Sequence, residues 1–350
     1  MTKTETALPL ISVIICTHNR CESLARTLNS LTQMSVPQDL TWELLVIDNN
    51  SSDRTSETVR SFGSRGTVLP LKYSFEPVPG LSHARNLGIQ VSHGVIIAFI
   101  DDDVLVSREW LTEVRNAFQQ YDPVCVGGRV LLEERSRPAW WDKAYDAHVG
   151  EFDRGTSVIF YEDSDQRLIG IGANMMFKRI AFEKHGLFRT DMGKTPNQLN
   201  TGEETDMVQR LRKPNKVIIY YPNALLYHCP SAERFSKRYL RKHSYGLGWW
   251  RFLRELEGPQ PPRILRIPRW RYRLVLANVW KTVQLGLRGQ YSDSFPQQLQ
   301  FAFFCGYFRA AQKARKAATS EASSSSAQRE TTDMKRRSLP ERSANRLGAS

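Results

Sequence analysis

Three consecutive aspartates, Asp101, Asp102 and Asp103, stand directly behind the apolar run VIIAFI at 95–100. A short β-branched run of this kind suits a strand buried on both faces. Where such a strand passes into a loop, alternate residues point to opposite sides, so Asp101 and Asp103 converge while Asp102 turns away. Two convergent carboxylates make a hard oxygen site for Mg2+ or Mn2+, ions that keep several waters and take phosphate oxygens as further ligands. The plainer reading is an acidic cap on a helix over 107–119, favoured by the helix dipole. A cap needs one acid, and Ser107 already suits that place, so the metal reading is preferred.

Other residues able to do chemistry are scattered. Asp48 follows the apolar run WELLVI and precedes Asn49 and Asn50. One carboxylate beside two amides suits the donor edge of a base or a ribose, and equally a turn that starts a helix. Arg85 and Asn86 sit in GLSHARNLG, on a helix before the VIIAFI strand. The planar fork of Arg85 suits diphosphate oxygens; both residues also suit hydrogen bonds that hold the helix to the sheet. Glu203, Glu204 and Asp206 crowd one helix start. Part of that matches the dipole, and one of the three can act as general base toward an attacking hydroxyl. Spacing alone does not rank them. Trp140 and Trp141 suit either a stacking floor for an acceptor or buried packing.

Elements that position these groups follow from hydrophobic period. LISVIIC at 10–16 reads as a strand, followed by a helix with Asn19 as N-cap, Glu22 three residues on, and Leu24, Leu28 and Leu31 on one face. WELLVI is the second strand, a polar helix starts near Asp53, a weaker strand lies at 67–73, a helix at 81–92, and VIIAFI closes the series. Alternation of this kind gives an α/β fold with a mostly parallel, Rossmann-like sheet covered by helices. Ligands bind beyond the carboxyl ends of such strands. Thr17 and Asn19 after the first strand, Asp48 after the second and Asp101 after the fourth therefore share one edge. Beyond 130 the rhythm loosens: 133–170 is irregular, then come a helix at 177–185, an acidic helix at 202–212 and a strand at 216–221.

The formal charge of +13 is concentrated late, since residues 231–318 hold 18 Lys+Arg and 4 Asp+Glu. Trp249, Trp250, Phe252, Trp270, Tyr272 and Trp280 are interleaved with those cations. Such a basic helical extension suits an anionic membrane surface, or a solvated basic face packed on the rest of the chain. Arg/aromatic mixtures also bind single-stranded nucleic acid, but no nucleic-acid module is recognisable. Residues 319–350 are Ser/Ala/Arg-rich and read as a disordered tail. The five cysteines form no CxxC pair and read as reduced thiols. No apolar run reaches about 18 residues, and MTKTETALPL lacks the regions of a signal peptide. A cytoplasmic chain, peripheral at the inner face of the plasma membrane, is the expectation.

In order, these motifs resemble family 2 of the nucleotide-sugar glycosyltransferases, which have the GT-A fold. ISVIICTHNR resembles the family's first strand and loop, and VIDNNSSD its second, with Asp48 matching a uracil-contacting aspartate. HGVIIAFIDDDV resembles the approach to the DxD metal site, Asp101 lying in the ribose and metal region and Asp103 being the metal ligand. IGANMMFKRIAFEKHGLF resembles the acceptor-side segment. GEETDM resembles the motif whose second acid is the catalytic base, here Glu204 where the family usually has aspartate. His228 lies where relatives sometimes carry a histidine near the metal. The resemblance covers 10–230 and implies a catalytic domain over 1–230, with a nucleotide-sugar half at 1–130 and an acceptor half at 131–230. It implies Mg2+ or Mn2+ and a UDP-sugar donor, with Thr17, Asn19, Asp48, Arg85, Asp101 and Asp102 on the donor side. A glycan or lipid-linked acceptor in cell-surface or exopolysaccharide biosynthesis is implied too, with Trp140, Trp141, Glu203, Asp206 and His228 in accessory places. A nucleotidyltransferase would want a glycine-rich loop where CTHNR stands. A dinucleotide oxidoreductase would want GxGxxG after a strand. A catalytically inactive, membrane-bound scaffold would not need Asp48, Asp101, Asp103 and Glu204 together.

Overall fold

The apolar runs become strands β1 (Ile11–Thr17), β2 (Trp42–Asp48), β3 (Leu71–Phe75) and β4 (Ile96–Asp101), all parallel and ordered β3-β2-β1-β4. The computed structural model describes residues 10–64, 69–133, 137–162, 170, 172–195, 202–212, 216–256, 263–264, 267–290 and 294–337, with backbone alone at 263–264 and 317–337. Register pairs Thr17 with Asp48 and Cys16 with Asp101, so the three strand ends finish level. Helices α1 (Cys21–Leu31), α2 (Thr55–Ser64) and α3 (Leu81–Val91) connect them. Leu24, Leu28 and Leu31 of α1 are buried against Val13, Ile15 and Val46, whereas Ile14 and Ile47 face the opposite cluster with Ile89 of α3. Each such side chain contributes about 1.5–3 kcal/mol on burial.

Asn19 is not the N-cap of α1. Arg20 holds that place, and Asn19 sits at φ 52. Its side-chain oxygen instead accepts from Ser52 N (2.7 Å) and Asp53 N (3.3 Å), while Asp53 Oδ2 accepts from Cys21 N at 3.0 Å. Asparagine tolerates the left-handed region, and here that tolerance prevails over its capping preference. Ser107 is not a cap either: the helix expected from 107 begins only at Trp110 with Glu109 as its N-cap, and the Ser107 carbonyl accepts from Trp110 N at 3.1 Å in the turn before it.

Past the aspartates the parallel β3-β2-β1-β4 half of the sheet gains antiparallel partners. Strand β5 (Val104–Val106), helix α4 (Trp110–Tyr121) and β6 (Cys125–Leu132) are followed by a 3-10 turn at Lys143–Val149, β7 (Ile159–Phe160) and β8 (Asn174–Lys178). Helices α5 (Arg179–His185) and α6 (Glu203–Leu211) and strand β9 (Ile218–His228) complete the layer. β8 is antiparallel to both β4 and β6, β9 runs parallel to β6, and β5 and β7 pair antiparallel with β9. The helix expected at 177–185 thus begins only at Arg179, because Met175, Met176 and Phe177 fill a buried strand. A buried polar knot ties the layers: Trp110 Nε1 donates to Asn174 Oδ1 (3.1 Å), and Asn174 Nδ2 to Ala224 O (2.7 Å).

After a 3-10 turn at Ala232–Phe235 come α7 (Lys237–Leu256), a short hairpin of β10 (Arg263–Ile264) and β11 (Ile267–Pro268), α8 (Arg269–Leu287) and α9 (Phe295–Arg337). α7 and α9 cross in near contact through glycines: a Cβ on Gly248 would stand 1.8 Å from Phe303 O, and one on Gly306 1.9 Å from Tyr245 O. Tyr307 Oη donates to Glu255 Oε2 at 2.6 Å, and Arg271 Nη2 to Glu255 Oε1 at 2.5 Å. The backbone of 319–337 continues α9 where a disordered tail was expected. Alanine, glutamate, lysine and arginine in that stretch are good helix formers, and they extend a helix already nucleated. Residues 338–350 lie outside the described residues.

Candidate active site

The level strand ends create a polar rim whose partners are mostly internal. Thr17 Oγ1 donates to Asp102 Oδ2 at 2.7 Å, and Arg20 pairs with Asp102 Oδ1 and with Asp103 Oδ2, the latter at 2.5 Å. Asp102, in the turn just after β4, is thus directed at Thr17 and Arg20. Burial, with Asp103 adding and Arg20 opposing, pushes its carboxyl up to about 7. Asp48 is also enclosed, its Oδ2 accepting from Tyr73 Oη (2.8 Å) and its Oδ1 from Ser51 N (2.9 Å). Asn86 clamps α3 to the segment before α6, exchanging hydrogen bonds with Phe188 backbone at 2.9 Å each way.

Asp101 and Asp103 converge as expected, and β9 adds a third group. Pairing of Val104 with His228 brings the imidazole beside the triplet from 125 positions away. His228 Nε2 lies 3.1 Å from Asp103 Oδ1, and Arg234 Nη2 lies 3.3 Å from Asp103 Oδ2. Burial works to raise the Asp103 carboxyl, but His228, Arg234 and Arg20 hold it well below the ordinary carboxylate range. Asp101, Asp103 and His228 each offer one ligand atom, and these lie within 4.8 Å of one another. Two carboxylates and an imidazole nitrogen suit a divalent cation such as Mg2+ or Mn2+. The donor set therefore fits a divalent cation.

Asp101, His228 and Arg234 open into a cleft of about 490 Å³, whose other wall begins at α6. Arg85 is buried there, its guanidinium 5.7 Å from the Phe99 ring centre and 5.6 Å from that of Phe188. Its Nη1 lies 2.7 Å from Glu203 Oε1 and 3.1 Å from Glu204 Oε1. The two glutamates part in character. Glu203 is pushed up to about 8 by burial and by the neighbouring Glu204 charge, with Arg85 opposing. Burial also acts to raise Glu204, but Arg85 and a hydrogen bond from Glu203 hold it below its ordinary range. The Glu204 carboxylate is 20% exposed, against 2% for Glu203. Asp206 points elsewhere, to Arg210 Nε at 2.9 Å. Of the three acids left open by the sequence, Glu203 and Glu204 line the cleft, and of these two Glu204 is the more exposed and the one held below its ordinary range.

The far wall comes from beyond 230. Tyr239, His243, Leu247, Trp250 and Arg254 of α7 all line the cleft, at steps of four, four, three and four, which is one face of a helix. His243 stacks on Tyr239 and meets His148 with Nδ1 atoms 3.0 Å apart. Burial, His148 and nearby cations push His243 down to about 3, so the pair stays neutral. Arg20, Arg234 and this α7 face were not singled out from the sequence. The spacing of the α7 stripe was present there, masked by the basic residues between. Trp140 and Trp141 pack elsewhere: Trp141 Nε1 donates to Asp146 Oδ1 at 2.8 Å, and Trp140 lies 5.5 Å from Phe295.

Trp250 also meets the start of α6. Gly202 has φ +117, and a Cβ on it would stand 1.6 Å from Trp250 Nε1. Gly202→Ala is expected to displace the Glu203–Glu204 turn and to lower the thermal midpoint by several degrees. Adding Trp250→Ala should restore part of the midpoint, which differential scanning calorimetry would read. Equal midpoints for wild type and Gly202→Ala would contradict the contact.

Residues 12–186 match the family model described as Glycosyl transferase family 2. Glycosyltransferase AglE of Haloferax volcanii is 30% identical over 203 residues, 58% of this chain and 61% of AglE, so the chain spans about three fifths of that relative. Glucosyl-dolichyl phosphate glucuronosyltransferase of the same organism is 26% identical over 71% of this chain and 79% of its own. Succinoglycan biosynthesis protein ExoM of Rhizobium meliloti is 27% identical over 68% and 72%. Among solved structures, mannosyltransferase PcManGT from Pyrobaculum calidifontis, in complex with GDP-Man and Mn2+, superposes with a TM-score of 0.53 over 94% of this chain and 81% of that one. At 18% identity that likeness is one of fold.

Proposed function

The chain belongs to glycosyl transferase family 2, and from that premise we propose that it moves a sugar from a nucleotide diphosphate to a hydroxyl acceptor by one inverting displacement. The observation that carries this reading is a single cleft shared by the Asp101–Asp103–His228 cluster and the ionised Glu204. Glu204 accepts the acceptor's proton as the hydroxyl oxygen attacks the anomeric carbon. The bond from that carbon to the diphosphate oxygen breaks from the opposite side, and the nucleotide diphosphate leaves with the electron pair. One displacement inverts the configuration. A divalent cation held by Asp101, Asp103 and His228 supplies positive charge to the departing diphosphate when bound. The GDP-Man and Mn2+ of PcManGT support this assignment. Arg85 keeps Glu204 ionised, and the flat faces of Tyr239 and Trp250 suit the ring of an acceptor glycan.

We place the donor among UDP-sugars and the acceptor in surface-glycan assembly, either a glycan or a lipid-linked one. The names of ExoM and of the glucuronosyltransferase support the choice of acceptor. Among the described residues no helix is long and apolar enough to cross a membrane, and the basic extension supports a peripheral place on the cytoplasmic face. A thermal-shift screen of nucleotide sugars tests the reading. One UDP-sugar should raise the midpoint only with Mn2+ present and should release UDP on turnover. No response to UDP-, GDP- or dTDP-sugars would remove it.

A further inference from the structure

Helix α8 is built inside out. Its inward side chains include Arg271 and Asn278, each 4% exposed, whereas Leu276, Trp280 and Leu287 are 68%, 64% and 84% exposed. The inward polar groups are tied to the neighbouring helices, Arg271 to Glu255 of α7 and Asn278 Nδ2 to Gln297 O of α9 at 3.1 Å. The outward apolar ones are not scattered. Leu276, Trp280, Val283 and Leu287 follow at steps of four, three and four, so they form one stripe roughly 16 Å long. Soluble surfaces leave single apolar residues exposed, but a continuous stripe marks a surface that meets an apolar phase.

The flanks of the stripe say which phase. Arg269, Arg273, Lys281 and Arg288 are all exposed, and no Asp or Glu occurs from 269 to 290. In a two-fold dimer the same patch would face itself, bringing like charges together with nothing of opposite sign on the helix. An anionic bilayer satisfies both features at once, taking the apolar side chains among its acyl chains and the cations at its phosphates.

We propose that α8 lies in the headgroup plane of an anionic membrane, with Leu276, Trp280, Val283 and Leu287 inserted and Arg269, Arg273, Lys281 and Arg288 at the lipid phosphates. The inference deepens the reading of a membrane-apposed acceptor and rests on that reading only for the purpose of attachment. Its geometry is that of α8 alone.

Sedimentation of the full chain with phosphatidylcholine–phosphatidylglycerol vesicles tests it. The chain should sediment with these vesicles and bind roughly tenfold less to phosphatidylcholine alone or in high salt. The double variant Leu276→Asp, Leu287→Asp alters only the outward face. It should keep the wild-type thermal midpoint and bind roughly tenfold or more weakly. Three results would each overturn the proposal: a wild-type chain that stays in solution with both vesicles, a double variant that binds as well as wild type, or a wild-type dimer that the double variant dissolves without any vesicle binding. Donor turnover with soluble nucleotide sugars does not involve α8. Its loss would strike the glycosyltransferase reading and leave the vesicle result intact.

Discussion

Glu204→Gln is expected to lower sugar transfer by about 10²–10⁴-fold, the range of a lost general base, while donor affinity stays within about twofold. The amide preserves length and shape, so steric changes in the cleft are small. Arg85 keeps a buried partner because Glu203 remains 2.7 Å away. The rise of Glu203 to about 8 owes part to the Glu204 charge; with that charge gone Glu203 ionises more readily and the guanidinium stays paired. Fold and donor site should therefore survive, as calorimetry and donor titration would show. The wild-type pH profile has a definite sign. A base works deprotonated, so activity is present above its pKa and is lost as pH falls through it. Arg85 holds Glu204 below the ordinary glutamate range, and the acid limb of the transfer rate should lie below that range too. A wild-type limb near neutrality, or full transfer by the variant, would reassign the base to Glu203.

Much of this site was legible because parallel βαβ units send their strand ends to one edge. LISVIIC, WELLVI and VIIAFI are each short, apolar and followed by polar residues, and that suffices to bring Thr17, Asp48 and Asp101 level. Local ambiguity defeated other assignments. Asn19 serves equally in an N-cap and in a left-handed turn, and only the position of Asp53 decides between them. Met175–Phe177 are apolar without a clear period, so strand and helix compete until β4 and β6 pair on either side. His228 beside Asp103 depends on a pairing across 125 residues, for which no local pattern exists. The α7 face is a different case. Its period was in the sequence, but the surrounding Arg and Lys drew attention to net charge, and charge says nothing about which stripe faces the cleft.

Asp103→Asn is expected to reduce Mn2+-dependent turnover by about three orders of magnitude, since it removes both a ligand and the charge that makes the cluster attractive to a cation. The neighbourhood sharpens the effect. Asp103 is buried among Arg20, Arg234 and His228, and neutralising it leaves the two guanidinium groups facing any incoming metal without the charge of that carboxylate. Arg20 retains Asp102, so the start of α1 keeps an ion pair and the loss of stability should be confined to a few degrees in thermal midpoint. Asp102→Asn is the matched comparison. It neutralises the adjacent carboxylate, which faces inward on Thr17 and Arg20, and should leave Mn2+ affinity much less affected. Mn2+ titration followed by electron paramagnetic resonance separates the two variants without reference to activity. Unaltered Mn2+ binding and turnover in Asp103→Asn would place the cation elsewhere, and equal losses in both variants would trace the effect to the packing of the rim instead of to a ligand.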